Sequence, residues 1–209
     1  TQFNVKIVLT AQHREMLDQV TDFFAVKADI DLNLMKKHQS LHELTSNVLL
    51  ALQKVFSHEN PDLILVHGDT TTTMVSSLAA YYQKIPVGHV EAGLRTHNIY
   101  SPFPEEINRQ ITGLICKYHF APTEKSKSNL IREGKNEDSV IVTGNTVIDA
   151  LFWSIKKIRN SKAAYPILKS IDKFKDKKII LVTGHRRENF GEGFLNICKA
   201  LKENTDRKS

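Results

Sequence analysis

The chain has 209 residues, 41% of them hydrophobic and 25% charged, the balance of a globular protein and not of a disordered one. No run approaches the roughly 18 consecutive apolar residues of a membrane helix, and no basic-then-apolar leader opens the chain, so the expectation is a cytoplasmic protein with no membrane partner. The net charge of +6 is local: between Lys156 and Lys178 nine Lys or Arg face two Asp, without the interleaved aromatics of a single-strand-binding surface, which speaks against nucleic acid as a partner.

Strand-length runs rich in Val, Ile and Leu recur in chain order. They are VKIVLT from Val5, PDLILVHG from Pro61, IPVGHVE from Ile85, YHFAPT from Tyr118, VIVTGN from Val140 and KIILVTG from Lys178. Between them lie helical spacings, such as Leu41, Leu44, Val48, Leu49, Leu52, Val55 and Phe56, or Ile107, Ile111, Leu114 and Ile115. Strands apolar on both faces that alternate with helices predict an α/β fold, a doubly wound parallel sheet covered on both sides.

Local signals fix several helix starts. The threonines from Thr70 can accept hydrogen bonds from unpaired first-turn N–H groups. Pro104 supplies a proline where its missing N–H costs nothing, followed by Glu105 and Glu106 where the helix dipole favours negative charge. From Asn145 to Ser161 the spacing of Val147, Ile148, Leu151, Phe152, Ile155 and Ile158 predicts one more helix. Cys116 and Cys198 lack a C-x-x-C spacing and are read as two reduced thiols in packed helices.

These patterns divide the chain into a Rossmann-like domain over residues 1–160, a lysine-rich linker over 161–177, and the first strand and helix of a second domain over 178–209. One strand and one helix (Gly193 to about Asn204) are too little to bury a core, so the chain is expected to be shortened at its C-terminus. It is expected to be shortened at its N-terminus too, because it opens almost at once into a strand.

Ligands of parallel α/β sheets sit beyond the carboxyl ends of the strands, near helix N-termini that favour anions. His67-Gly68-Asp69, His89-Val90-Glu91 and the TGHRREN stretch from Thr183 all fall there, and Glu105 opens a helix after the THNIYSPFP loop from Thr96. Carboxylates and a histidine converging on one rim can remove a proton, deliver one and hold the rest of a substrate. Each piece also has an ordinary explanation. Asp69 can cap the following helix, Glu91 can pair with Arg95 across one turn, Glu105 can answer the helix dipole, and His185 with its arginines can be a solvated loop. A metal site built from His67, Asp69, His89, Glu91 and His185 lacks an HExxH or His-x-His spacing, and no GxGxxG or Walker loop is present, so no metal and no nucleotide cofactor is expected.

Six motifs in order are AQHREMLDQV from Ala11, VHGDTTTT from Val66, GHVEAGLR from Gly88, SPFPEEINR from Ser101, TGNTVIDAL from Thr143 and TGHRRENFG from Thr183. Together they resemble the bacterial non-hydrolysing UDP-N-acetylglucosamine 2-epimerases, and the likeness covers essentially the whole chain. The resemblance implies two Rossmann-like domains in the GT-B arrangement, a homodimer and no cofactor. It also implies interconversion of UDP-N-acetylglucosamine and UDP-N-acetylmannosamine, for surface polysaccharides, by elimination of UDP to a 2-acetamidoglucal and re-addition.

By the same motif match the resemblance implies Asp69, Glu91 and Glu105 as the carboxylates that handle the C2 proton, with none assigned as the base, and His185 as the group assisting diphosphate departure. It implies Arg186, Arg95 and Asn189 as substrate-binding residues. Gln12 and His13 resemble the region where the family binds a second UDP-N-acetylglucosamine as activator, while His38 stands near where many members have an arginine. The family's G-T-R-P-E loop before Thr1 and nearly all of its second domain after Ser209 are not in the sequence. The shortened chain is therefore expected to be inactive alone, and a non-catalytic fragment or a hydrolysing relative are the alternatives.

Overall fold

The computed structural model describes residues 3–10, 14–34, 39–160, 169, 172–177, 179–180, 182 and 191–206. The chain separates into two compact units, Thr1–Trp153 and Ser154–Ser209. In the first unit β1 (Val8–Leu9) precedes α1 (Arg14–Phe24), β2 (Ile30–Asp31) and α2 (Leu41–Glu59). Then β3 (Ile64–His67), α3 (Thr71–Tyr82), β4 (Val87–Val90), α4 (Glu105–Ile115), β5 (Tyr118–Ala121), α5 (Glu124–Arg132) and β6 (Val140–Val142) follow in strict alternation. Helix α6 (Thr146–Arg159) leads from the first unit into the second, which contains α7 (Glu192–Asp206). The strand expected at residues 178–184 falls largely outside the described residues; of its members Ile179, Ile180 and Val182 are described, and all three are exposed.

Capping chemistry sets the helix ends. Ser40 and Glu43 form a reciprocal capping box at the start of α2, and Asn60 closes that helix in the left-handed conformation. The Thr70 hydroxyl accepts from the N–H of Thr73 at 3.2 Å and starts α3, as its sequence predicts. Asp69 is therefore not the cap.

Strands β3, β4, β5 and β6 form a parallel sheet in sequential order, while β1 and β2, the latter not foreseen from sequence, pair separately and also in parallel. The register groups Ile64, Val66, Val87, His89, His119, Ala121 and Val140 on one face of the larger sheet. Against that face lies the main core of Leu44, Val48, Leu52, Phe56, Val75, Ala79 and Ala80 from α2 and α3. A second cluster of Ala92, Ala121, Leu130 and Val140 lies under α5.

The opposite face is more open among the described residues, with Leu65 62% exposed and Ile141 50%. Sequential strand order explains it. Right-handed crossovers between consecutive neighbours send α3, α4 and α5 to the same side of the sheet. The thiols also differ from the sequence reading. Cys116 is buried just past α4, where burial pushes its thiol up to about 12, whereas Cys198 on α7 is exposed.

Candidate active site

The site forms where β3 and β4 end. Beyond β3 the N–H of Gly68 still donates to the carbonyl of Val90 at 3.0 Å, and beyond β4 the N–H of Ala92 donates to Phe120 at 3.1 Å. Glu91, between those two bonds, is thrown into the left-handed region with φ 69°. For a residue with a Cβ that conformation costs about 1 kcal/mol, and such strain collects at functional sites. Gly68 is left-handed as well, and a Cβ built on it would lie 3.4 Å from Oε2 of Glu91. The Glu91 carboxylate therefore leans over the β3 turn.

Asp69 is gripped from α4. Asn108 donates its amide to the Asp69 main-chain carbonyl at 3.0 Å, and Arg109 donates Nη2 to the Asp69 carboxylate. The other arm of the Arg109 guanidinium lies 3.3 Å from Glu106 Oε2. Glu106 is fully buried and also accepts from the N–H of Thr96 at 3.1 Å, the N–H of His97 at 3.2 Å and the amide of Gln110 at 3.0 Å. Burial pushes its carboxyl up, yet the Thr96 N–H, Gln110, the His97 N–H and Arg109 together hold it below its ordinary value. The two adjacent glutamates thus divide their work: Glu106 anchors the loop, and half-buried Glu105 has no ion pair or hydrogen bond to its carboxylate among the described residues. The same holds for Glu91.

His89 is 1% exposed on the helix-covered face, and its Nε2–H donates to the Gly68 carbonyl at 2.7 Å. A carbonyl only accepts, so Nε2 carries the proton, and buried Nδ1 is left without a partner. Burial pushes the ring down to about 4, with the Gly68 carbonyl acting in the other direction, so it is neutral near pH 7. His119, its register partner on β5, is likewise buried and pushed down to about 4 by desolvation. His67 lies on the opposite, open face, with Nε2 3.4 Å from the Thr146 hydroxyl. Among the described residues no group of three or more His, Cys, Asp or Glu is arranged to hold a metal.

Arg95 does not pair with Glu91. Its guanidinium binds Glu133 on both arms, Nε to Oε1 at 2.7 Å and Nη2 to Oε2 at 2.8 Å, while Nη1 donates to the Leu94 carbonyl. The Arg95 side chain is only 1% exposed. The helix-type spacing from Glu91 to Arg95 does not bring them together because residues 91–93 are a turn and not a helix.

The structure therefore brings Asp69 and Glu91 together at the carboxyl ends of β3 and β4, and Glu105 opens α4, the helix whose Asn108 and Arg109 hold Asp69. His185, Arg186, Asn189, Gln12, His13 and His38 lie outside the described residues. Sequence reasoning overlooked Asn108, Arg109 and Glu106 as members of the site. The one available signal was the three-residue spacing from Glu106 to Arg109, which stacks them on one helix face. Chemically these strand ends offer a free carboxylate, Glu91, near one held by a cation, Asp69, on a turn braced by a neutral histidine.

Known proteins share this framework. The family model described as UDP-N-acetylglucosamine 2-epimerase matches residues 1–209. The UDP-N-acetylglucosamine 2-epimerase of Campylobacter jejuni is 54% identical over 204 residues, covering 95% of this chain and 53% of the relative. That of Escherichia coli K12 is 54% identical over 208 residues, covering 96% and 54%. The chain spans about half the length of the curated relatives it matches. Among solved structures, UDP-GlcNAc 2-epimerase from Neisseria meningitidis bound to UDP-GlcNAc superposes with a TM-score of 0.93 at 53% identity, over 99% of this chain and 56% of that one. The Methanocaldococcus jannaschii enzyme in complex with UDP-GlcNAc and UDP gives 0.76 at 36% identity, over 82% and 47%. With its parallel α/β fold, its motifs and this extent of likeness, the chain belongs to the UDP-N-acetylglucosamine 2-epimerase family.

Proposed function

We propose that this chain carries the proton-handling half of a non-hydrolysing UDP-N-acetylglucosamine 2-epimerase, interconverting UDP-N-acetylglucosamine and UDP-N-acetylmannosamine. The observation that supports the reading is that Glu91 leans over the turn that carries Asp69, and that Asp69 is held by α4, the helix that Glu105 opens, with Glu91 and Glu105 free of ion pairs among the described residues. The hydrogen at C2 of the sugar has no adjacent carbonyl to acidify it, so direct removal and return is hard. Elimination solves this: a carboxylate takes the C2 proton as the C1–O bond to UDP breaks, giving 2-acetamidoglucal and UDP. Re-addition of UDP at C1, with a proton delivered to the other face of C2, gives the epimer. Two carboxyl groups on opposite sides of the ring are what such a sequence demands.

In this reading residues 1–160 form the Rossmann-like catalytic domain, 161–177 a linker and 178–209 the start of a second domain in a GT-B pair. His185 assists diphosphate departure, and Arg186 and Asn189 bind substrate. Arg95, which the motif also implies as substrate-binding, has its guanidinium occupied by the fork with Glu133, so in this reading it braces the turn after β4. Gln12 and His13 contribute to an activator site. The enzyme acts in the cytoplasm as a homodimer.

The test joins the chain to the segments of the Campylobacter jejuni relative that lie outside the match and supplies UDP-N-acetylglucosamine in D2O. Proton NMR is expected to show UDP-N-acetylmannosamine with deuterium at C2. Product without deuterium would overturn the elimination route, and free N-acetylmannosamine with UDP would mark a hydrolysing enzyme. The chain alone is expected to turn over little or nothing, since an open half-site neither excludes water nor retains UDP for return.

A further inference from the structure

Arg109 stands at the centre of a chain of charges that the epimerase reading does not require. Its side chain is 10% exposed, and its guanidinium lies between the carboxylates of Asp69 at the end of β3 and Glu106 in the first turn of α4. From Glu106 the chain continues to the N–H groups of Thr96 and His97, which open the loop that leads into Glu105. Asn108, one position before Arg109, holds the Asp69 main chain, so the carbonyl and the carboxylate of the same residue are fixed from one helix turn.

We propose that Arg109 is a positioning residue that orients the Asp69 carboxylate and, through Glu106, couples the β3 turn to the 96–104 loop that carries Glu105. The physical basis is electrostatic. A buried cation with two anionic partners cannot relax toward one without changing its hold on the other, because in a low-dielectric setting each partner is a large share of its solvation. A change of charge at Asp69, such as gaining a proton during turnover, therefore redistributes the guanidinium toward Glu106 and tightens or slackens the loop behind Glu105. Two rim carboxylates on different elements become one unit. That Asp69 acts on a sugar nucleotide rests on the function proposed above; the coupling itself does not.

Two arms test it separately. In the first, amide hydrogen exchange at Thr96 and His97 is measured in the chain and in its Asp69→Asn, Arg109→Gln and Arg109→Lys variants. Exchange at both amides is expected to rise about tenfold in Arg109→Gln and less in Asp69→Asn, with the double variant no faster than Arg109→Gln alone, as for groups in one network. Rates unchanged in Asp69→Asn, or effects that multiply in the double variant, overturn the coupling. Should Arg109→Gln not fold, Arg109→Lys and Asp69→Asn carry the same comparison.

In the second arm the completed epimerase is assayed with Arg109→Lys, which keeps the charge and loses the fork. A fall in kcat on the order of 10²-fold with KM little changed is expected from a misplaced carboxylate. A lowered melting temperature with kcat intact overturns the positioning role. An inactive parent enzyme counts against the function proposed above and leaves the exchange rates to decide the coupling.

Discussion

The Nε2–H of His89 donates to the carbonyl of Gly68 at 2.7 Å, tying the buried face of β4 to the turn that presents Asp69. The bond selects the Nε2–H tautomer, and burial of the ring, acting against the pull of the carbonyl, is what keeps that imidazole neutral.

That neutrality makes stability fall with acid. His89 and His119 are both held near about 4 in the fold, against 6.5 when free. Above 6.5 neither the folded nor the unfolded rings bind the proton, and the stabilising contribution is complete. Between 6.5 and about 4 only the unfolded chain takes protons up, so stability drops by about 1.4 kcal/mol per pH unit for each ring, and the slope vanishes below. Urea midpoints followed from neutral pH downward are expected to show this decline. Replacing His119 with Gln should remove roughly half of it; an unchanged slope would sink the assignment.

Gly93 and Gly134, both with positive φ, should differ sharply in tolerance. At Gly93 a Cβ would sit 2.3 Å from the backbone oxygen of Ser126, and φ is +87°, so Gly93→Ala forces α5 away and is expected to cost about 3 kcal/mol or more. Gly134 has φ +79° with nothing within 4 Å, so Gly134→Ala should cost only the backbone penalty of about 1 kcal/mol. Chemical denaturation of the two variants side by side measures the difference, and equal losses would mean that the approach of α5 sets no limit at Gly93.

Glu91 is expected to trade stability for function. Glu91→Gly relieves a left-handed side chain that has no ion pair, so the fold should gain about 1 kcal/mol while the completed enzyme loses kcat by on the order of 10²-fold or more. Glu105→Gln should lower kcat similarly and leave stability within about 0.5 kcal/mol. Asp69→Asn should lower both, since it alone gives up a partner, Arg109. Thermal melts set beside turnover would separate the three.

Arg95 and Glu133 should behave as a structural pair. Arg95→Leu leaves the half-exposed Glu133 free to meet water, whereas Glu133→Gln leaves a buried guanidinium short of its anion. With discounting for the exposure of Glu133, each single change is expected to cost about 1–2 kcal/mol and the double change no more than the larger of them. Additive losses in a double-mutant cycle would show that the fork contributes nothing.

Much of the candidate site is legible in the sequence. Asp69, Glu91 and Glu105 stand out because each follows a strand run or opens a helix, and position at a strand end is a local property. Their partners were hidden because partnership is not local. Arg95 looks four residues from Glu91 yet binds Glu133, since the turn at Gly93 breaks the helical spacing the pairing would need. Asp69 looks like a helix cap, but Thr70 takes that place and the carboxylate is left for Arg109.

The sequence by itself determined the alternation of strands and helices, the starts of α3 and α4, and the placing of three carboxylates at element ends, because periodicity, capping and turn chemistry act within a few residues. Only the tertiary structure decided which face of the sheet is buried, that Glu106 is an anchor while adjacent Glu105 is free, and that His89 is a neutral strut under the β3 turn. Those outcomes depend on burial and on charges from other strands and helices: the same carboxylate or imidazole is an acid, a base or a brace according to what surrounds it.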